Sequence, residues 1–195
     1  MTFSINRDTL LNNLIIMQKG LPNRTPLPIL TNIKFEVRQD HIILTTSNHD
    51  IAIQLMVDGE DLSIDKTGIV TIPGKYLIDI VRKVTSNRME FTLIEDRIIV
   101  IKADRSEFKL RLMDASDYPE VDFLDGTTEP LIIDSELLKT IIRETSYASA
   151  LSEKRPILTG VNFKYSDNNL YVVATDSYRL SQKELKLRSK SEDFD

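Results

Sequence analysis

Apolar positions along this chain follow two rhythms, one helical and one alternating. Leu10, Leu11, Leu14 and Met17 recur at helical spacing behind Asn6, a residue suited to cap a helix, and predict a helix over 7–18. Leu77, Ile78, Ile80 and Val81 predict a second over 74–84, opened by Pro73. Leu138, Ile141 and Ile142 behind Asp134 predict a third over 135–145. The remainder alternates as strands do: Ile33, Phe35 and Val37; Ile51, Ile53 and Leu55; Phe91 and Leu93; Phe108, Leu110 and Leu112. Short turns separate these runs, at Arg38-Gln39-Asp40, Glu95-Asp96 and Ser166-Asp167-Asn168-Asn169, so the sheets are expected to be largely antiparallel.

The pattern repeats. An offset of 128 lays Pro28-Ile29-Leu30-Thr31 on Pro156-Ile157-Leu158-Thr159, and Phe35 on Phe163. It also lays Ile42-Ile43-Leu44 on Leu170-Tyr171-Val172, Phe3 and Ile5 on Leu131 and Ile133, and Asp8 on Glu136, with no gap from residue 3 to residue 52. A copied segment of this length implies two domains of one fold. A shorter repeat lies inside the first. At an offset of 56, Phe35, Val37, Asp40, Ile42, Ile43 and Leu44 map onto Phe91, Leu93, Asp96, Ile98, Ile99 and Val100. One residue further on, Ile51, Ile53 and Leu55 map onto Phe108, Leu110 and Leu112. Each half is thus one strand, one helix and three strands, and two halves give an α+β domain of two helices backed by antiparallel sheet. Residues 1–125 form a complete domain on this reading, and 126–195 the first half of a second. The turn-rich acidic run 114–130 is expected to be a connector, and the charged tail from Leu185 to Asp195 to be mobile.

Charge sharpens this picture. The chain has a net charge of −5, yet three segments run against that sign. Residues 7–24 hold Arg7, Lys19 and Arg24 against Asp8; residues 73–88 hold Lys75, Arg82, Lys83 and Arg88 against Asp79. Residues 135–155 hold Lys139, Arg143, Lys154 and Arg155 against three glutamates. These segments contain the helices and the loops after them. They carry +6 together, so the rest of the chain carries −11. One class of element is therefore expected to face something negative. Only Tyr76 and Tyr147 accompany these cations, which favours contact with a duplex backbone over base stacking.

Catalytic chemistry finds little support. There is no cysteine, which excludes disulfides and thiol chemistry. His41 in a turn and His49 in a loop are the two histidines, and their spacing offers no convergent metal or nucleophile partners. Gly20, Gly59 and Gly74 stand alone, so no glycine loop cradles phosphate, and Asp114 and Asp117 sit in the connector. No catalytic residue, metal or cofactor is expected. The N-terminus lacks a signal-peptide pattern and no run is apolar enough to span a membrane, which predicts a cytoplasmic protein.

Several segments together resemble one family. They are Arg24-Thr25-Pro26-Leu27-Pro28-Ile29-Leu30, Ile72-Pro73-Gly74-Lys75, Ser106-Glu107-Phe108-Lys109-Leu110, Asp117-Tyr118-Pro119, Arg155-Pro156-Ile157-Leu158-Thr159-Gly160-Val161 and Ala174-Thr175-Asp176-Ser177-Tyr178-Arg179-Leu180. In order and spacing the chain resembles the bacterial DNA polymerase III beta subunit, the sliding clamp, in a Gram-positive style. The resemblance implies the DNA clamp fold: three copies of one domain per chain, two chains paired head-to-tail, and helices lining a hole that encircles duplex DNA. It implies a processivity factor without catalysis, holding the polymerase III alpha subunit, the clamp loader and other proteins with clamp-binding motifs. The third domain is absent from the 195 residues on this reading. DNA-facing residues by resemblance and charge are Arg24, Lys75, Arg82, Lys83, Ser152 and Arg155. The resemblance assigns part of a peptide pocket to Leu158, Thr175, Ser177, Tyr178, Arg179 and Leu180, with Tyr178 where histidine is common. It assigns a dimer edge to Arg105, Phe108 and Leu110, and a homodimer to the full-length protein. The alternative reading is a repeat-built protein-binding scaffold that never touches DNA.

Overall fold

Asn6 turns the chain from strand into helix. Its side-chain oxygen accepts the amides of Asp8 and Thr9, leaving β1 (Thr2–Asn6) behind and opening α1 (Arg7–Met17). Leu10, Leu14 and Met17 are buried beneath α1, and the chain tightens into the 3-10 turn Gln18–Gly20. A second 3-10 turn, Pro28–Thr31, leads into β2 (Asn32–Val37), β3 (Ile42–Ser47) and β4 (Ala52–Val57). Then follow β5 (Leu62–Lys66), β6 (Gly68–Pro73), α2 (Gly74–Lys83), β7 (Arg88–Ile94), β8 (Ile98–Ala103) and β9 (Ser106–Arg111). The computed structural model describes residues 1–48, 50–95, 97–121, 123 and 131–187. It divides into two units, Met1–Asp122 and Phe123–Asp195.

The first unit is two antiparallel sheets ordered β5-β1-β7-β8-β9 and β4-β3-β2-β6, with α1 packed on α2. The opening strand of each half crosses to the other half's three strands. Thus β1 pairs with β7, and β6 pairs with β2. This exchange joins the halves into one core. Phe3 of β1 stacks on Phe91 of β7 with centroids 4.7 Å apart, and lies 6.3 Å from Phe35 of β2 in the other sheet. Leu77, Ile78 and Val81 of α2 are buried in the same core.

The second unit has α3 (Ser135–Thr145) and a three-stranded sheet, β10 (Asn162–Ser166), β11 (Asn169–Thr175) and β12 (Leu180–Lys186). The 128-residue offset holds down to single hydrogen bonds. Asp134 Oδ1 accepts the amides of Glu136 and Leu137, as Asn6 does for α1. The Leu30 amide donates to Leu27 O at 3.0 Å, and the Leu158 amide to Arg155 O at 3.0 Å. Thr31 Oγ1 donates to Pro28 O, and Thr159 Oγ1 to Pro156 O, both at 2.7 Å. Asn48 Oδ1 accepts the Asp50 and Ile51 amides, while Asp176 Oδ1 accepts those of Tyr178 and Arg179. Caps and Asx turns are local chemistry, so a copied sequence copies them. The core here is small: Ile141, Tyr165, Leu170 and Val172.

The structure departs from the sequence pattern at several places. β5 is an additional strand between the halves, paired with β1. Ile51 and Leu112 fall just outside β4 and β9. Gln18 belongs to the 3-10 turn after α1, and Val84 caps α2, its amide donating to Ile80 O. No strand covers 131–134 among the described residues, although Phe3 and Ile5 map there. Leu185 and Lys186 are part of β12 and not of a tail; 188–195 lie outside the described residues. The expected connector begins as folded structure. Met113 bridges Thr71, whose Oγ1 donates to Met113 O at 2.9 Å, and a 3-10 turn at Ala115–Asp117 leads to the buried Tyr118. Its stretch at 122 and 124–130 lies outside the described residues.

Candidate functional site

The positive charge does not sit on α1 itself. Arg7 is engaged: Nε donates to Val81 O at 2.9 Å, Nη2 to Arg82 O at 3.1 Å, and Nη1 meets Asp8 Oδ1 at 2.6 Å. It ties the first turn of α1 to the last carbonyls of α2, where a cation is favoured. α1 turns Asn12, Ile15 and Ile16 outward, leaving it nearly neutral. The free cations lie beyond it, at Lys19 and Arg24, both exposed. On α2, Lys75, Tyr76, Asp79, Arg82 and Lys83 are exposed. Arg82 Nη2 donates to Gln18 Oε1 at 2.9 Å, so of the expected DNA-facing group Arg82 is partly committed to a structural bond. Arg24, Lys75 and Lys83 form no ion pair with a described residue.

Gly74 locates Arg24 relative to Lys75. A Cβ there would lie 2.5 Å from Leu21 Cδ1 and 3.2 Å from Thr31 O, so the N-terminus of α2 abuts the loop that carries Arg24. Lys83 belongs to the far end of the helix, about 12 Å away at 1.5 Å per residue. There it lines a cleft of about 560 Å³ with Val84, Asp104, Arg105 and Phe108. The structure thus groups Lys83 with the expected dimer edge, apart from Lys75. In the second unit Ser152 and Arg155 are exposed in the loop closed by the Ala150 amide on Leu158 O. On α3, Lys139 pairs with Glu136, and Glu144 pairs with Lys183, which holds the Glu144 carboxyl below its ordinary range.

Among the described residues β9 is the outer strand of its sheet and pairs only with β8. Phe108 and Leu110 are half-buried, packed against the first core, while Glu107 and Lys109 pair at 3.3 Å. Arg105 is exposed in the turn before the strand. On its other side the β9 backbone has no strand partner among the described residues.

Five of the six residues expected in a peptide pocket lie at or in one turn between β11 and β12. Thr175 Oγ1 donates to Arg179 O at 2.7 Å and accepts the Ser177 amide, and Ser177 adopts a left-handed φ of 75°. The Arg179 and Tyr178 amides hold the Asp176 carboxyl below its usual range, and Arg179 Nε reaches Asp176 Oδ2 at 2.9 Å. Tyr178 is 99% exposed and Leu180 62%. The sixth, Leu158, is half-buried on the 3-10 turn Pro156–Thr159. Two residues named in the sequence take places that it did not assign them: Tyr147 stacks under the Arg179 guanidinium at 5.7 Å, and Tyr118 is buried on the first unit. The repeat carries the signal for Tyr147, since it is the counterpart of Lys19, beside the turn.

His41 is paired through Nδ1 with Asp40 Oδ1 at 2.6 Å, and His49 lies outside the described residues. Among the described residues no group of three acids or histidines is arranged to hold a metal. No helix is long and apolar enough to cross a membrane.

Two helices over antiparallel sheets that exchange their first strands, followed by a second copy of the same half-module, define a clamp-type α+β fold. The family model of the DNA polymerase III beta subunit N-terminal domain matches residues 1–122, and that of its central domain matches residues 132–195. A beta sliding clamp of Staphylococcus epidermidis is 37% identical over 197 residues, covering 98% of this chain and 52% of the relative. The structure of the DNA polymerase III beta chain of Streptococcus pneumoniae is 35% identical with a TM-score of 0.93, covering 99% of this chain and 52% of that one. The DNA polymerase sliding clamp of Bacillus subtilis is 32% identical with a TM-score of 0.94, covering 100% and 52%. The chain belongs to the DNA polymerase III beta subunit family. It spans about half the length of these relatives.

Proposed function

We propose that this chain contributes the first domain and the first half of the second domain to a DNA sliding clamp, 1–125 and 126–195 respectively. The full-length form closes with a third domain into a head-to-tail homodimeric ring. The ring encircles duplex DNA in the cytoplasm and tethers the replicative polymerase without catalysing a reaction. The observation that carries this reading is the pairing of Arg24 and Lys75 at one end of α2 with a nearly neutral α1. A ring held by topology needs weak, sequence-independent phosphate contact, and a few free cations beside a nearly neutral α1 fit that need. Ser152 and Arg155 extend the same contact on the second unit, with Lys83 and Arg82 secondary.

Two further surfaces fit the same reading. The Thr175–Leu180 turn with Leu158 is one wall of a groove for short linear motifs of the polymerase III alpha subunit, the clamp loader and other clamp-binding proteins. The edge of β9, with Phe108, Leu110 and Arg105, is the seam of the dimer. In a full-length version, Arg24→Ala with Lys75→Ala is expected to lower the slope of log affinity for duplex DNA against log salt by about 2, since each phosphate contact contributes about 0.9. An unchanged slope would overturn the assignment of these residues to the DNA-facing side.

A further inference from the structure

Four exposed residues, Asp58-Gly59-Glu60-Asp61, carry the chain from β4 in one sheet to β5 in the other. The far end of this link is pinned to the start of α1. Asp61 O accepts the Asn6 amide at 3.0 Å, and Asp61 Oδ2 accepts the Thr9 hydroxyl at 2.6 Å. The near end is free. Gly59 takes a left-handed φ of 99°, and a Cβ there would meet nothing within 4 Å. Its carbonyl accepts the Leu62 amide at 3.2 Å, but its own amide has no hydrogen-bond partner among the described residues. The Asp58 carboxyl has neither a hydrogen bond nor an ion pair with a described residue. Of the six glycines, Gly59 and Gly126 follow an aspartate, and Gly126 lies outside the described residues.

We propose that Asp58 is a site of spontaneous backbone isomerisation, and that the product loosens the start of α1. The nucleophile is the Gly59 amide nitrogen and the electrophile is Cγ of the protonated Asp58 carboxyl. A C–N bond forms between them, the carboxyl hydroxyl and the amide hydrogen leave as water, and the product is a five-membered succinimide ring. Water then adds to one of the two ring carbonyls. Addition at Cγ breaks the new bond and restores aspartate. Addition at the main-chain carbonyl carbon breaks the original Asp58–Gly59 bond instead, so the chain runs through the side chain and an α-carboxylate is set free. One water leaves and one returns, and the mass is unchanged. Three features of the link permit the ring: glycine does not crowd it, no hydrogen bond holds the amide, and no cation holds the carboxyl. Asp61 lacks all three, since leucine follows it, the Leu62 amide is bonded and Thr9 holds its carboxylate. The isoaspartyl form adds a methylene to the main chain of a link whose far end holds the Asn6 amide, so the added length is felt where α1 begins.

The test ages the 195-residue chain in neutral buffer made with oxygen-18 water and maps it by proteolysis and fragmentation. Each ring opening writes one heavy oxygen into residue 58. That residue should gain at least about tenfold more label than Asp61, which must first break a charge-assisted hydrogen bond. The labelled peptide should split into two isomers of equal mass. Labelling at Asp58 in the folded chain should run within about tenfold of the rate in urea, because an open link costs little to reshape. In the separated isoaspartyl chain the Asn6 amide should exchange about fivefold faster, the scale of one lost hydrogen bond. Asp58→Glu, which would need a six-membered ring, should stay unlabelled at 58 and keep its Asn6 exchange on ageing. Equal labelling of Asp58 and Asp61, or a folded rate more than about a hundredfold below that in urea, would overturn the proposal. So would equal Asn6 exchange in the two isomers, or faster Asn6 exchange in aged Asp58→Glu.

Discussion

Phe91→Ala is expected to cost the first unit about 3–5 kcal/mol, the range for deleting a fully buried phenylalanine. Phe91 is 0% exposed and lies nearly parallel to Phe3, at an interplanar angle of 3°. Phe3 in turn packs toward Phe35 in the opposite sheet. The three rings join β1, β7 and β2, so removing the middle-strand ring opens a cavity where the two half-repeats meet. Phe35 and Phe91 are themselves counterparts at the 56-residue offset, and neither neighbour can move in to fill the space without breaking strand register. A domain of this size is stable by about 5–15 kcal/mol, so the loss is a large share of the total. Urea unfolding followed by a probe in the first unit should show the midpoint fall by more than about 1 M at an unchanged slope. A loss under about 1 kcal/mol would mean that the rings do not bridge the sheets as described.

Gly20→Ala is the second large expectation, and the repeat supplies its rescue. A Cβ on Gly20 would sit 2.4 Å from Thr46 Oγ1, whose hydroxyl donates to Met17 O at 3.0 Å. Thr46 is fully buried and cannot swing away, so overpacking should cost about 1–3 kcal/mol. At the 128 offset, Gly20 corresponds to Ala148 and Thr46 to Ala174, both buried. The second unit thus holds the extra methyl on one side and lacks the hydroxyl on the other. Gly20→Ala with Thr46→Ala should recover much of the stability lost in Gly20→Ala. A double-mutant cycle should give a coupling of at least about 1 kcal/mol in the rescuing direction. Additive losses would show that the two sites do not share this space.

What was legible in the sequence was what is local. The bounds of α3 and the 3-10 turn Pro156–Thr159 follow α1 and Pro28–Thr31 because Asn6 and Asp134 cap in the same way, and because proline and threonine close the same turn. The alternating runs of β2, β4, β7 and β9 were equally plain. The exchange of β1 and β6 between sheets is a long-range pairing that no periodicity records. β5 was missed because Leu62 and Ile64 are its only apolar residues and it has no counterpart at the 56 offset. At the site, net charge located the cationic segments but counted Arg7 as free, since a cap on a helix 74 residues away has no sequence signature. Tyr118 stood in a quoted segment, but its burial was not legible because the acidic composition around it reads as linker, while its packing on Ile29 and Leu30 is a long-range contact.

The central claim, that this chain is part of a ring held on DNA by topology, is tested most directly by retention on circular and linear duplexes. A full-length version loaded onto nicked circular DNA should remain bound through gel filtration at moderate salt, and should be lost when a single cut linearises the circle. Equal retention on both forms, or on neither, would contradict the claim.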